Sequence, residues 1–386
     1  MINFLREYLK INTAQPNPDY QQVIALFTAR ATNDDFLTKE FVLPSGNSVL
    51  VITYAGSDQS LPALALNHHM DVVPAENLSE WICPPFAATM QENLIIGRGT
   101  QDMKSVGIVQ YEALKELKEN NMRPARTIHL LCVPDEERGG YQGTQEFLEH
   151  PEFSALNIGF IVDEGIPSGN EHELHIKVEE RTPIQIRVTS TDRMGHASQL
   201  FHPNCLHNLI RFLSEVIDFH AAQQKQACDG EPGKFFSSHI TSMTTENFAL
   251  NVIPHQAQAT IDFRVPAQCS LNDALGLLES MMKKHPTISY EILATSKERF
   301  KPASVDSALY KALSKAIQGH GIKPKPFAFE ATTDARFYSN KGIEGIGLTP
   351  FTIAPNLHGT NESVRVEDLI LGKKIFVSFL RIFCEV

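Results

Sequence analysis

Short apolar runs that stop in polar residues punctuate the first part of the chain. "SVLVITYA", "LPALAL", "TIHLLCVP" and "IGFIVDEG" are apolar at nearly every position, the pattern of strands buried on both faces. Helical stretches such as "KSVGIVQYEALKELKENN" lie between them. This alternation, running to about residue 181, predicts an α/β domain with a mixed, largely parallel sheet. The opening "MINFLREYLKINTAQPNPDY" reads as a short amphipathic helix with charges inside it rather than as a signal peptide.

From residue 182 the period changes. "PIQIRVTST" alternates, with Ile184, Ile186 and Val188 on one face and Gln185, Arg187 and Thr189 on the other. A helix follows, with Leu206, Leu209, Ile210, Leu213, Val216 and Ile217 at helical spacing. "HITSMTTE" and "QAQATIDFRV" are the next strands, a helix places Ala274, Leu277, Leu278 and Met281 on one side, and "ISYEILAT" closes the series. The order βαββαβ, with each strand apolar on one face, predicts an antiparallel sheet with two helices on one side. Residues 182–297 therefore read as an insert between 1–181 and 298–386, because α/β signals resume with "SALYKALSKAIQGHG", "GIEGIGLTP" and a long C-terminal helix.

Composition narrows the function. A net charge of -11 opposes an electrostatic grip on nucleic acid. No apolar run approaches the roughly 20 residues that span a bilayer. Cys83, Cys132, Cys205, Cys228, Cys269 and Cys384 are scattered without a C-x-x-C pair, as expected of reduced thiols in a cytoplasmic protein.

The chemistry gathers where apolar runs end. His69 and Asp71 follow "ALALNH", Glu136 and Glu137 follow "TIHLLCVPD", and Glu164 follows "IGFIVD". Asp102 precedes a helix in "GRGTQDMKS", and His358 lies in "NLHGTNE". Open α/β sheets bind ligands outside the carboxyl ends of their strands. A single acidic residue at a strand end is as well explained by capping of N–H groups. The adjacent Glu136 and Glu137 are harder to explain that way, since like charges side by side repel without a cation.

"HHMDVVP", "GRGTQDMKS", "PDEERGG", "VDEG", "GHAS", "NVIP…DFR" and "LHGTNE" occur in the order found in the M20 metallopeptidase family, which this sequence resembles over nearly its whole length. The resemblance implies a two-zinc catalytic domain carrying a ferredoxin-like lid that also makes a homodimer. It implies that His69, Asp102 and Glu164 hold one zinc, and that Asp102 bridges to a second held by Glu137 and His358. Asp71 would hydrogen-bond the far nitrogen of His69 and fix its tautomer. Glu136 would be the general base, moving a proton from the attacking water to the leaving nitrogen. At a regular strand Glu136 and Glu137 would face opposite ways, so both reach one site only from an irregular strand end. His196 would enter the partner chain's site to stabilise the oxyanion. Arg336 would pair with a substrate α-carboxylate, a task suited to a guanidinium fork, with Asn251 and Arg264 also on the substrate side.

Three residues depart from the family pattern. His68 and Met70 flank the proposed ligand His69, and Arg138 stands where an aliphatic residue is common. They could reshape the pocket wall; His68 is expected on the strand face opposite His69, though a free His68 could also bind metal adventitiously. The implied reaction is zinc-dependent hydrolysis of small N-acyl-L-amino acids, with dipeptides or other N-acylated small molecules as alternative substrates. A non-catalytic binding protein of the same fold would have no need of Glu136.

Overall fold

The computed structural model describes residues 1–228, 230–245 and 249–385, so Glu246, at the end of "HITSMTTE", lies outside the described residues. The chain forms two compact units. The first comprises residues 1–178, 303–327 and 333–386, and the second residues 179–302 and 328–332.

The first unit is built on an eight-stranded mixed sheet. Its strands lie in the order Leu37–Val42, Ser48–Tyr54, Ile128–Val133, Ala63–His69, Ile158–Asp163, Glu344–Gly347, Glu173–Glu180 and Lys323–Phe329. Ala63–His69 pairs in parallel with both Ile128–Val133 and Ile158–Asp163, and Glu344–Gly347 continues the parallel set. Antiparallel pairs flank this centre, as of Ser48–Tyr54 with Ile128–Val133. All seven residues of Ala63–His69 are buried. The reason is cover on both faces. Leu64 and Leu66 join one apolar cluster with Phe4, Leu114, Leu313 and Phe376 of four helices, whereas Ala65 joins another with Phe41, Phe147 and Phe337. Residues alternate between the two clusters because successive strand side chains point to opposite faces.

The same alternation decides His68. It falls on the Leu66 side, with its ring centroid 5.3 Å from that of Phe27 and 6.2 Å from that of Tyr8. The ring is wholly buried, and burial pushes its pKa down to about 3. His68 is a neutral core residue on the face opposite His69, as its strand position predicts, and not an adventitious ligand. Met70 is likewise wholly buried in the core, and Arg138 is exposed.

The second unit holds a four-stranded antiparallel sheet in the order Ser237–Thr245, Gln256–Val265, Thr182–Thr191 and Ile288–Thr295. With helices Cys205–Ala227 and Leu271–Met282, the chain order is βαββαβ, a ferredoxin-like arrangement. Burial alternates strictly along Gln256–Val265. Ile184, Ile186 and Val188 meet Leu209, Phe212, Leu213, Val216, Leu278 and Met281 in one core. The long helix departs from its expected stripe: Phe212 is buried, while Ile210 and Ile217, seven residues apart on the neighbouring row, are exposed. Asn204 caps this helix, accepting the Leu206 and His207 amides, a contact worth about 1 kcal/mol. Relative to residues 182–297, this unit also takes in 179–181, 298–302 and 328–332. Arg181 ties the outer pieces together: its amide donates to the Phe329 carbonyl and its Nε to that of Glu330.

No helix among the described residues is long and apolar enough to cross a membrane, and the six cysteines are unbonded.

Candidate metal centre

His69 ends its strand, and Glu164 directly follows the parallel neighbour Ile158–Asp163, so both emerge at the carboxyl edge of the sheet. Asp102 comes from the turn before the helix Lys104–Glu119. His69 Nε2 lies 2.9 Å from Asp102 Oδ1 and 3.9 Å from Glu164 Oε2. His358, at a left-handed φ of 61°, brings its Nε2 to 3.1 Å from Asp102 Oδ2 and 3.3 Å from Glu137 Oε2. Two groups thus share Asp102: His69, Asp102 and Glu164, and Asp102, Glu137 and His358. Within each, the ligand atoms lie within 4.8 Å of one another, and no other such trio occurs among the described residues.

Glu136 and Glu137 leave the strand Ile128–Val133 on a short 3-10 turn, Glu136–Arg138. Asp135 enters the turn at φ 72°, and Gly139 and Gly140 leave it at φ 97° and 68°. Off the strand, neighbouring side chains need not face opposite ways, which answers the geometric objection to their adjacency. Gly140 is required on two counts: its positive φ, and a Cβ that would stand 2.1 Å from Asp334 Oδ1.

Asp71 is arranged differently from the expectation. His69 Nδ1 meets the main-chain carbonyl of Asp71 at 2.9 Å, while the nearer carboxylate oxygen is 3.7 Å away. The carboxylate instead accepts the amides of Glu136 and Glu137, each at 3.2 Å, and Nε2 of Gln15 at 2.7 Å. The peptide geometry explains this. The imidazole folds back onto the chain two residues on, which frees the wholly buried carboxylate to serve donors from other segments.

The electrostatics follow from crowding. Burial alone would raise the Asp102 carboxyl, but hydrogen bonds from His358 and His69 hold it well below the usual range. Its bonds to Asp102 and Glu137 push His358 up to about 10. Burial raises Glu164 and Glu137, and the charge of Asp102 adds to both. Glu136 is raised well above the usual range by burial, against the pull of His69 and with Asp334 and Glu137 adding. Glu137 Oε1 is buried with no hydrogen-bond partner. A carboxylate oxygen stranded beside other carboxylates is an atom that a cation would satisfy. Nitrogen and oxygen donors without thiolate fit zinc or another hydrolytic divalent ion.

The remaining expected residues sit as follows. His196 is exposed in the second unit, on the two-residue strand Gly195–His196 paired with Val252–Ile253. Its Nε2 is 3.4 Å from Asn251 Nδ2, and its Nδ1 is 2.7 Å from Ser198 Oγ. Arg264 is held by Asp262, through Nε at 2.7 Å and Nη2 at 3.2 Å. Arg336 is buried in the first unit over the Phe337 ring. Its Nη1 donates to the Thr333 carbonyl at 2.6 Å and its Nη2 to that of Gly139 at 2.5 Å, next to the Glu136–Arg138 turn. Gln15 and Tyr20 were not legible as site residues. Gln15 bonds both Asp71 and the Tyr20 hydroxyl, which also accepts the Asp135 amide. Their one sequence signal is inclusion in the block "YLKINTAQPNPDY".

Comparison with known proteins agrees with this architecture. Mouse aminoacylase-1 is 32% identical over 393 residues, covering 100% of this chain and 95% of its own. An M20 family metallo-carboxypeptidase from Sulfolobus solfataricus superposes with a TM-score of 0.77 at 17% identity, covering 100% of this chain and 99% of that one. A dinuclear metal binding peptidase of the M20 family from Bacillus subtilis gives 0.67 at 15%, covering 100% and 97%. The sequence model of peptidase family M20/M25/M40 matches residues 65–382, the span that carries both groups of potential ligands, and the chain belongs to that family.

Proposed function

We propose that this chain hydrolyses the amide bond of N-acyl-L-amino acids, releasing a carboxylate and a free L-amino acid. The observation that carries the reading is the full-length likeness to aminoacylase-1 in a chain whose two ligand groups share Asp102. Two zinc ions are the cofactors in this reading, one held by His69, Asp102 and Glu164, the other by Asp102, Glu137 and His358. Bound there, they would supply Lewis acidity toward the amide carbonyl and acidify a water.

The chain's own groups do the rest. Glu136 takes the proton of the attacking water and delivers it to the leaving nitrogen. The Asp71 main-chain carbonyl fixes the His69 ring so that Nε2 turns toward Asp102. Arg336 meets the substrate α-carboxylate, with Asn251 and Arg264 also on the substrate side. His196 donates to the oxyanion, supplied by the partner chain of a homodimer formed through the ferredoxin-like inserts. The unbonded thiols fit a cytoplasmic setting.

The test is a screen of zinc-loaded protein against N-acetyl-L-amino acids, N-acetyl amides and dipeptides. Turnover should be highest on free N-acetyl-L-amino acids. Turnover confined to dipeptides would replace this reading with a dipeptidase.

A further inference from the structure

Arg98 and Glu362 lie in the same blocks as Asp102 and His358, "GRGTQD" and "LHGTNE", yet belong to neither ligand group. They form an ion pair of 2.8 Å, Nη1 to Oε2, with both side chains buried. Such a pair is weak ground for stability, since desolvation offsets most of its attraction. Its hydrogen bonds point to a different task. Glu362 Oε1 accepts the amides of Gln101 at 2.6 Å and Asp102 at 3.2 Å, and Oε2 accepts the Gly99 amide at 3.0 Å. Arg98 Nη1 donates to the Gly359 carbonyl and Nη2 to that of His358, each at 3.0 Å. The carboxylate therefore grips the backbone that carries Asp102, and the guanidinium grips the backbone that carries His358.

The two ligand groups differ in what else supports them. His69 and Glu164 come from neighbouring strands, locked together by the sheet ladder. Asp102 and His358 come from loops some 250 residues apart in sequence, which the short ladder of Ser363–Arg365 with Leu94–Ile96 and the Gln101 side chain bring together, and in which Arg98 and Glu362 hold the backbone of the two ligands themselves. We propose that the Arg98–Glu362 pair sets the spacing between Asp102 and His358 and so governs affinity for the cation bound by Glu137 and His358 more strongly than for the other, which shares only Asp102 with these two loops. Both are positioning residues, and the inference rests on the two-cation reading above.

The test is titration of metal-free full-length protein with cobalt(II), followed by calorimetry and visible absorption, for wild type, R98K, E362Q and the double variant R98M/E362L. His358→Ala marks which binding step belongs to the second cation. R98K and E362Q keep the side-chain size and part of the backbone hydrogen bonds, and urea unfolding of every variant, run in parallel, checks the fold. Wild type should bind two cobalt ions per chain. Each variant should weaken the second step about 10–100-fold, the usual cost of removing a group that orients ligands, and the first step by clearly less. A second step unchanged in all variants overturns the proposal, as does equal weakening of both steps. Wild type that takes up no cobalt overturns the two-cation reading and this inference with it.

Discussion

His69 keeps its Nδ1 on the main-chain carbonyl of Asp71, 2.9 Å away, and leaves the Asp71 carboxylate to the amides of Glu136 and Glu137. One residue thus orients a ligand through its backbone and a catalytic turn through its side chain. Asp71→Asn preserves the first contact and one of the two amide acceptors. We expect cobalt binding at the His69 group to survive, with kcat reduced by roughly 10–100-fold. Selective loss of that cation would show that the carboxylate, not the backbone, orients His69.

Glu136→Gln should retain two cations and the native melting temperature, while turnover falls by roughly 10²–10⁴-fold, the usual contribution of a general base. Metal analysis alongside steady-state kinetics decides it. Near-normal turnover removes Glu136 from the mechanism.

Arg336 supports the turn next to Glu137 through the Gly139 carbonyl, as well as being the proposed carboxylate anchor. The two roles separate by substrate. An anchor lost in Arg336→Ala costs roughly 1.5–3 kcal/mol in kcat/KM on N-acetyl amino acids and little on their amides. A turn support lost costs both substrates equally.

His196→Ala and Glu136→Ala should each be nearly inactive, since one oxyanion donor is typically worth about 10²–10³ in rate. Mixed under conditions where subunits exchange, they should regain activity, because one site of each heterodimer holds both intact residues. Exchange demonstrated by mass spectrometry with no recovery refutes the shared site.

His129 provides a pH test of stability away from the ligands. Its ring is buried, with Nδ1 2.9 Å from Thr53 Oγ1 and Nε2 3.0 Å from the Leu156 carbonyl. Burial lowers its pKa to about 4 against an ordinary 6.5. The unfolded chain therefore takes up the proton first as pH falls below 6.5, so this group's share of stability is present above 6.5 and lost toward pH 4. His129→Gln should flatten the acid loss by up to roughly 3 kcal/mol, read from urea unfolding of metal-free protein at pH 7 and 4.5. Identical pH slopes in the two proteins would mean that His129 titrates normally in the fold.

Local period and residue type were enough for much of this molecule. A run such as "ALALNHH" states its own burial, because a strand covered on both faces needs apolar residues at successive positions. The alternation in "QATIDFRV" states a one-sided sheet for the same kind of reason. The order of motifs was enough to bring His69, Asp102, Glu137, Glu164 and His358 under suspicion together. What only the tertiary structure decided is which partner each group meets. Asp71 chose two amides 65 and 66 residues away over the ring beside it. Ile210 and Ile217, apolar at helical spacing, stayed exposed while Phe212 was buried. Arg98 and Glu362 stand 264 residues apart within two motif blocks, and only the fold pairs them. Sequence spacing sets where a side chain points along its own element. The acceptor a donor reaches depends on segments folded in from elsewhere in the chain, and no local period encodes their approach.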